Sequence, residues 1–195
     1  MAGNLYGRED ALKILHENIK SESLIRHAIA VEAVMRHFSR LLEQEDEEKW
    51  GVIGLLHDID FELYPEQHCF KARDILRSSG WPEEYVRAVE SHGYRLVNDV
   101  EPIHVMEKVL YATDELTGLI SATALMRPGK SLFGLEVKSV KKKWKQKGFA
   151  AGVNREVIEE GAAMLGMELD YVIEQTIAGM QDVAEELGLK GEAEA

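Results

Sequence analysis

Between Leu24 and Leu42 an apolar residue returns every three or four positions, as Leu24, Ala28, Val31, Met35, Phe38 and Leu42. On a helix that spacing lines up as one stripe along one side. Similar spacing runs through almost the whole chain, strand-like alternation is scarce, and only four prolines occur. An all-α fold follows, because a pattern with the helical period cannot bury its apolar side as a strand. Helices are expected over residues 9–19 and 22–44, and from an N-cap at Asp46 to the His57-Asp58 pair. A fourth, over 66–79, is closed by Gly80, and Pro82 opens the fifth, following the preference for glycine after a helix and proline at its start. The sixth spans 102–126 and stops at Arg127-Pro128-Gly129. Residues 137–146 form a lysine-rich helix, Asn154 caps one that ends near Gly166, and 167–187 form the last. No internal repeat is seen, and the stretch from Gly191 to Ala195 reads as a frayed tail.

A chain of 195 residues with 45% apolar content is long enough for one domain with a real core. Its apolar runs, such as 51–56, fall far short of the roughly 20 residues that span a bilayer, so no membrane partner is expected. Met1 to Asp10 lacks a basic region followed by an apolar segment, which argues against a secretory signal. The single cysteine, Cys69, cannot form an internal disulfide and agrees with a reducing compartment; a cytoplasmic protein is expected. The net charge of -12 argues against a nucleic acid polymer as partner, because such binding relies on basic side chains neutralising phosphates. The charge is uneven: residues 130–147 hold seven lysines against one glutamate, a local +6 that leaves -18 on the remainder.

The histidines carry the chemistry. On the expected helices His27 shares a side with Val31 and Val34. His68 precedes Ala72 by one turn, His92 follows Ala88 by one turn, and Asp114 follows Leu110 by one turn. All four should point inward. His57 and Asp58 end the apolar run Val52-Ile-Gly-Leu-Leu56 and should sit at the edge of the core. A buried carboxylate needs a partner, and a divalent cation lets two carboxylates and four neutral imidazoles share one site. Adjacent helical residues diverge by about 100°, so His57 and Asp58 reach one site only beside the helix end. Taken singly, each histidine is more simply a side chain satisfied by a backbone carbonyl; the ordered set is what argues for metal. His16, His37 and His104 lack matching carboxylates and are read as ordinary side chains.

The order His27, His57-Asp58, His68, His92, Asp114 resembles the HD superfamily of metal-dependent phosphohydrolases. Leu56-His-Asp-Ile-Asp60 is similar to its His-Asp-Ile-Gly motif, with Asp60 in place of the glycine. The later segments 114–118, 137–143 and 149–155 are similar to a small HDIG-type subgroup of predicted hydrolases, so the likeness runs along nearly the whole chain. It implies an HD-domain helical bundle over 1–195, with a core over about 20–126 and a C-terminal helical extension over about 130–190. It implies a minimal metal site of His27, His57, Asp58 and Asp114. His68 and His92 match two added histidines that go with a second ion bridged by the aspartate of the pair, so two divalent metals are expected. Manganese, iron, cobalt, nickel, magnesium and zinc are not distinguished.

The function so implied is hydrolysis of a phosphomonoester or phosphodiester, on a small phosphorylated substrate, by a metal-activated water. Asp58 is assigned a catalytic role. Glu62, four residues on, is a candidate proton shuttle or outer acceptor, set against its reading as a solvated glutamate. Lys130 and Lys138, with the run 141–143, are candidate phosphate ligands, set against a solvated basic surface; Arg127 and Arg155 are lesser candidates. Gly129-Lys-Ser131 is not a phosphate-binding loop, because Ala124 stands where its first glycine belongs. Cys69 is read as a small buried hydrophobe. Two other functions share the ligand set: an HD-type diiron oxygenase, and a sensor or interaction module in which the metal is structural. Self-association is left open.

Overall fold

In the computed structural model, which describes residues 6–191, the helical pattern becomes α1 (Arg8–Asn18), α2 (Glu22–Leu41), α3 (Glu47–Leu56), α4 (Phe70–Ser78) and α5 (Glu83–Ser91). There follow α6 (Val105–Leu125), α7 (Val137–Trp144), α8 (Arg155–Leu165) and α9 (Leu169–Gln181). One 3-10 turn, Pro65–Gln67, precedes α4. The fold is all-α, and among the described residues the only β pairings are isolated bridges. Most of the expected tail (192–195) and the start of the N-terminal stretch (1–5) lie outside the described residues. No described helix is long and apolar enough to cross a membrane.

Every residue from Trp50 to Leu56 is buried, so α3 is apolar all round and forms the inner element of the bundle. Asp46 starts it by accepting a hydrogen bond from Lys49 N at 3.2 Å. α2 packs along α3, with α1 against another part of its surface. The approach of α2 is close enough that a Cβ on Gly54 would lie 2.9 Å from the Cα and N of Glu32. Only glycine fits there, and the spacing of the two helices depends on it. α6 crosses α2 and is covered by α8 and α9. Gly161 on α8 makes a similar close approach, its Cβ position 2.5 Å from Ala112 Cα.

Two boundaries differ from expectation in ways that matter for the site. The fourth helix begins at Phe70, not residue 66, because Cys69 adopts φ 66°, outside helical space. His68 therefore stands on a connection ahead of α4. The sixth begins at Val105, not Pro102: His104 Nδ1 accepts from Met106 N at 3.2 Å, while Glu107 Oε2 accepts from Ile103 N at 2.8 Å and His104 N at 3.1 Å. His104 is thus a helix cap. Behind α6 the chain folds back, and Leu132 N donates to Leu189 O at 2.8 Å.

Candidate metal centre

Six side chains from five segments converge. His27 comes from the first half of α2, His57 is the residue after α3, and Asp58 follows it into a turn, where the helix no longer forces the two apart. His68 comes from the connection before α4, His92 from the end of α5, and Asp114 from the middle of α6. Their donor atoms fall into two groups. In the first, His27 Nε2 lies 3.1 Å from His57 Nε2 and 2.9 Å from Asp114 Oδ1, and His57 Nε2 lies 3.2 Å from that oxygen. Asp58 Oδ2 completes it at 3.4 Å from His57 Nε2 and 3.7 Å from His27 Nε2. In the second, His68 Nε2 and His92 Nε2 are 3.1 Å apart, with Asp58 Oδ1 at 3.4 and 3.5 Å. Asp58 thus gives one oxygen to each group.

What lies behind the rings decides how these atoms can be read. His57 Nδ1 donates to Gly54 O at 2.8 Å, and His92 Nδ1 to Val89 O. His68 Nδ1 donates to Asp60 Oδ1 at 2.8 Å. Thr117 Oγ1 donates to Asp114 O at 2.7 Å, which leaves it to accept from His27 Nδ1 at 3.3 Å. With each Nδ1 carrying the proton, every Nε2 turns a lone pair toward the others and toward carboxylate oxygens. Lone pairs facing one another at about 3 Å repel unless positive charge lies among them. Ligands about 2.0–2.2 Å from a divalent ion stand about 2.9–3.5 Å apart around it, close to the spacing observed. The donors fit a metal.

Without an ion the same cluster collects protons. Burial opposes a charge on His57, but Asp58 and Asp114 raise its pKa from 6.5 to about 10. Burial also opposes His68, whose bond to Asp60 raises it to about 9. For Asp58 and Asp114 burial works against ionisation, and the imidazoles reverse it, holding both carboxyls well below the usual carboxylate range. The electrostatics therefore call for cationic charge at this point.

Residues 24–119 match the family model described as HD domain. The chain carries an HD domain. No curated protein and no solved structure matches it. An HD domain points to a superfamily of metal-dependent hydrolases, and the two donor groups are compatible with a metal site. The matched stretch holds all six donors and ends inside α6.

In this HD domain five of the donors, all but the fully buried His57, line a cavity of about 310 Å³ together with Phe61, Leu96, Val97 and Glu115. Other residues singled out in the sequence are elsewhere. Glu62 is exposed, does not line the cavity, and accepts from Lys20 N at 2.8 Å and Ser21 N at 2.9 Å. Lys138 pairs with Glu136 at 2.5 Å, and Lys141 with Asp170 at 2.5 Å. Lys130 lines a separate cavity with Glu185 and Lys190. Arg127 donates to Phe133 O at 2.8 Å and Gly134 O at 3.0 Å, and Arg155 to Trp144 O at 2.9 Å and Phe149 O at 2.7 Å. Both guanidinium groups hold loops. The structure does not bring any of these to the donors.

Three residues outside the expected ligand set belong to its surroundings. Asp60 is buried, with Oδ1 taken by His68 and Oδ2 accepting from Ala72 N at 2.8 Å. Cys69, buried as expected, sets its Sγ 3.8 Å from His92 Nε2. Glu115 faces the cavity; burial, helped by Asp114, raises its carboxyl to about 7. The extra carboxyl of Asp60 is visible in the altered motif, whereas nothing in the spacing of Glu115 separates it from a solvated glutamate.

Proposed function

We propose that the cluster is a two-metal centre for phosphoester hydrolysis, with His27, His57, Asp58 and Asp114 holding one ion, and Asp58, His68 and His92 the other. The observation that carries this reading is Asp58, whose Oδ2 and Oδ1 face separate donor groups 3.4 Å away on either side. When bound, two divalent ions supply a water acidic enough to act as nucleophile near neutral pH, and neutralise charge on a phosphoryl group.

The chain's own part is positioning. Gly54 O, Val89 O, Asp60 and Thr117 each hold a ring in one tautomer and orientation, so the four Nε2 atoms are preorganised as donors. α3 and the buried rings of His57 and His92 seal the inner side from water. Glu115, protonated up to about pH 7 in the metal-free protein, takes the proton-exchanging role first considered for Glu62, because it faces the cavity and Glu62 does not. The HDIG-type subgroup, a single functional domain over the whole chain and a small phosphorylated substrate fit this reading.

The test is phosphate release from an aryl phosphoester by the manganese-loaded protein, compared with Asp58→Ala. Turnover by the parent and a loss of more than about a hundredfold in the variant are expected, since the shared ligand is removed. Dioxygen consumption with bound iron and no phosphate release would contradict the proposal in favour of an oxygenase.

A further inference from the structure

The cavity has a second character besides its donors. Phe61, Leu96 and Val97 line it while remaining 42% exposed each, so apolar surface at the metal cluster faces water. Phe61 is set edge-on to the His68 ring, centroids 5.2 Å apart at 90°. Leu96 and Val97 stand on a tight turn in which both backbone N–H groups donate to Gly93 O, at 3.0 and 2.9 Å. Any Cβ on Gly93 would fall 2.6 Å from Val97 Cγ2. The apolar lip is therefore fixed by the backbone beneath it.

Charge on the lining is one-sided. Among the described residues no lysine or arginine lines this cavity, and neither does an amide or hydroxyl side chain able to read a base or a sugar. Its charged groups besides the histidines are Asp58, Asp114 and Glu115. Two divalent cations bring four positive charges, of which the carboxylates cancel two or three. What remains balances one phosphoryl group and leaves a polyphosphate chain uncompensated in a partly dry site.

We propose that the substrate is a single-phosphoryl ester of an apolar alcohol, aryl or alkyl, with its phosphoryl group at the donors and its apolar body against Phe61, Leu96 and Val97. This rests on the hydrolytic reading above and adds the substrate class. Covering exposed apolar side chains is favourable in proportion to the area removed from water, so the apolar body contributes binding that a methyl group cannot.

Calorimetric titration of the manganese-loaded protein with phenylphosphonate and with methylphosphonate, neither of which is hydrolysed, tests the assignment. Phenylphosphonate should bind about tenfold more tightly, and the gap should shrink to under about twofold in Phe61→Ser or Leu96→Ser, each checked for unchanged manganese content. Equal binding of the two ligands, a gap that survives in both variants, or tighter binding of adenosine 5′-diphosphate through Arg26 in the adjoining cavity would overturn it. If methylphosphonate binding did not depend on manganese, the hydrolytic reading itself would fall, and this inference with it.

Discussion

Asp60 shows how much one residue behind the donors can decide. It sits where a glycine is usual in the motif, and both its oxygens are committed, one to His68 Nδ1 and one to Ala72 N at the start of α4. Asp60→Ala should leave the first donor group intact while weakening metal binding at His68 and His92 by about 10- to 100-fold, read as a biphasic metal titration. Unchanged affinity at both steps would show that Asp60 serves only α4. The imidazoles also set a pH dependence. His57 and His68 have folded-state pKa values of about 10 and about 9, above the ordinary 6.5. In the metal-free protein their stabilising contribution is therefore fully present below pH 6.5 and is lost as pH rises through the folded values. The thermal midpoint of metal-free protein should fall between pH 6.5 and about 9, while the gain on adding metal grows over the same interval, because protons no longer compete for Nε2. A metal-free midpoint that stays level or rises would contradict this account.

At the scale of elements, the site depends on how closely α2 and α3 approach. A Cβ on Gly54 would meet the Glu32 backbone at 2.9 Å, and backbone cannot yield as a side chain can. Gly54→Ala should cost about 1–3 kcal/mol and reduce metal binding, since Gly54 O also orients His57, whereas Gly148→Ala, with nothing within 4 Å, should change neither. Denaturant unfolding of the two variants makes the comparison; equal stability would mean that the helices part without consequence. Most helices were legible in the sequence because the apolar period and caps such as Asp46 and Asn154 agree. The start of α4 was not. The spacing from His68 through Ala72 and Ile75 runs across the break at Cys69, and a cysteine gives no local sign of a positive φ. The start of α6 was hidden for a related reason: its cap is a histidine, outside the usual Ser, Thr, Asp and Asn.

Across the whole molecule, five of the six donors were legible because each stands on an apolar helical side or at a helix end, whereas His68 was picked out by a helical spacing that the structure breaks at Cys69. The lysines were not placed by that logic. A charged side chain on a surface helix has no burial to aim it, and Lys138 and Lys141 found carboxylates on their own surface. Glu62 fails for the same reason: nearness to Asp58 in sequence set no direction, and the main-chain amides of Lys20 and Ser21 claimed it. One carboxylate, Asp58, joins the two donor groups. Titrating metal-free protein with manganese and counting the ions bound per chain at saturation tests it most directly. Two ions per chain are predicted, and Asp58→Ala should not hold both; saturation of the parent at one ion, or none, would contradict it.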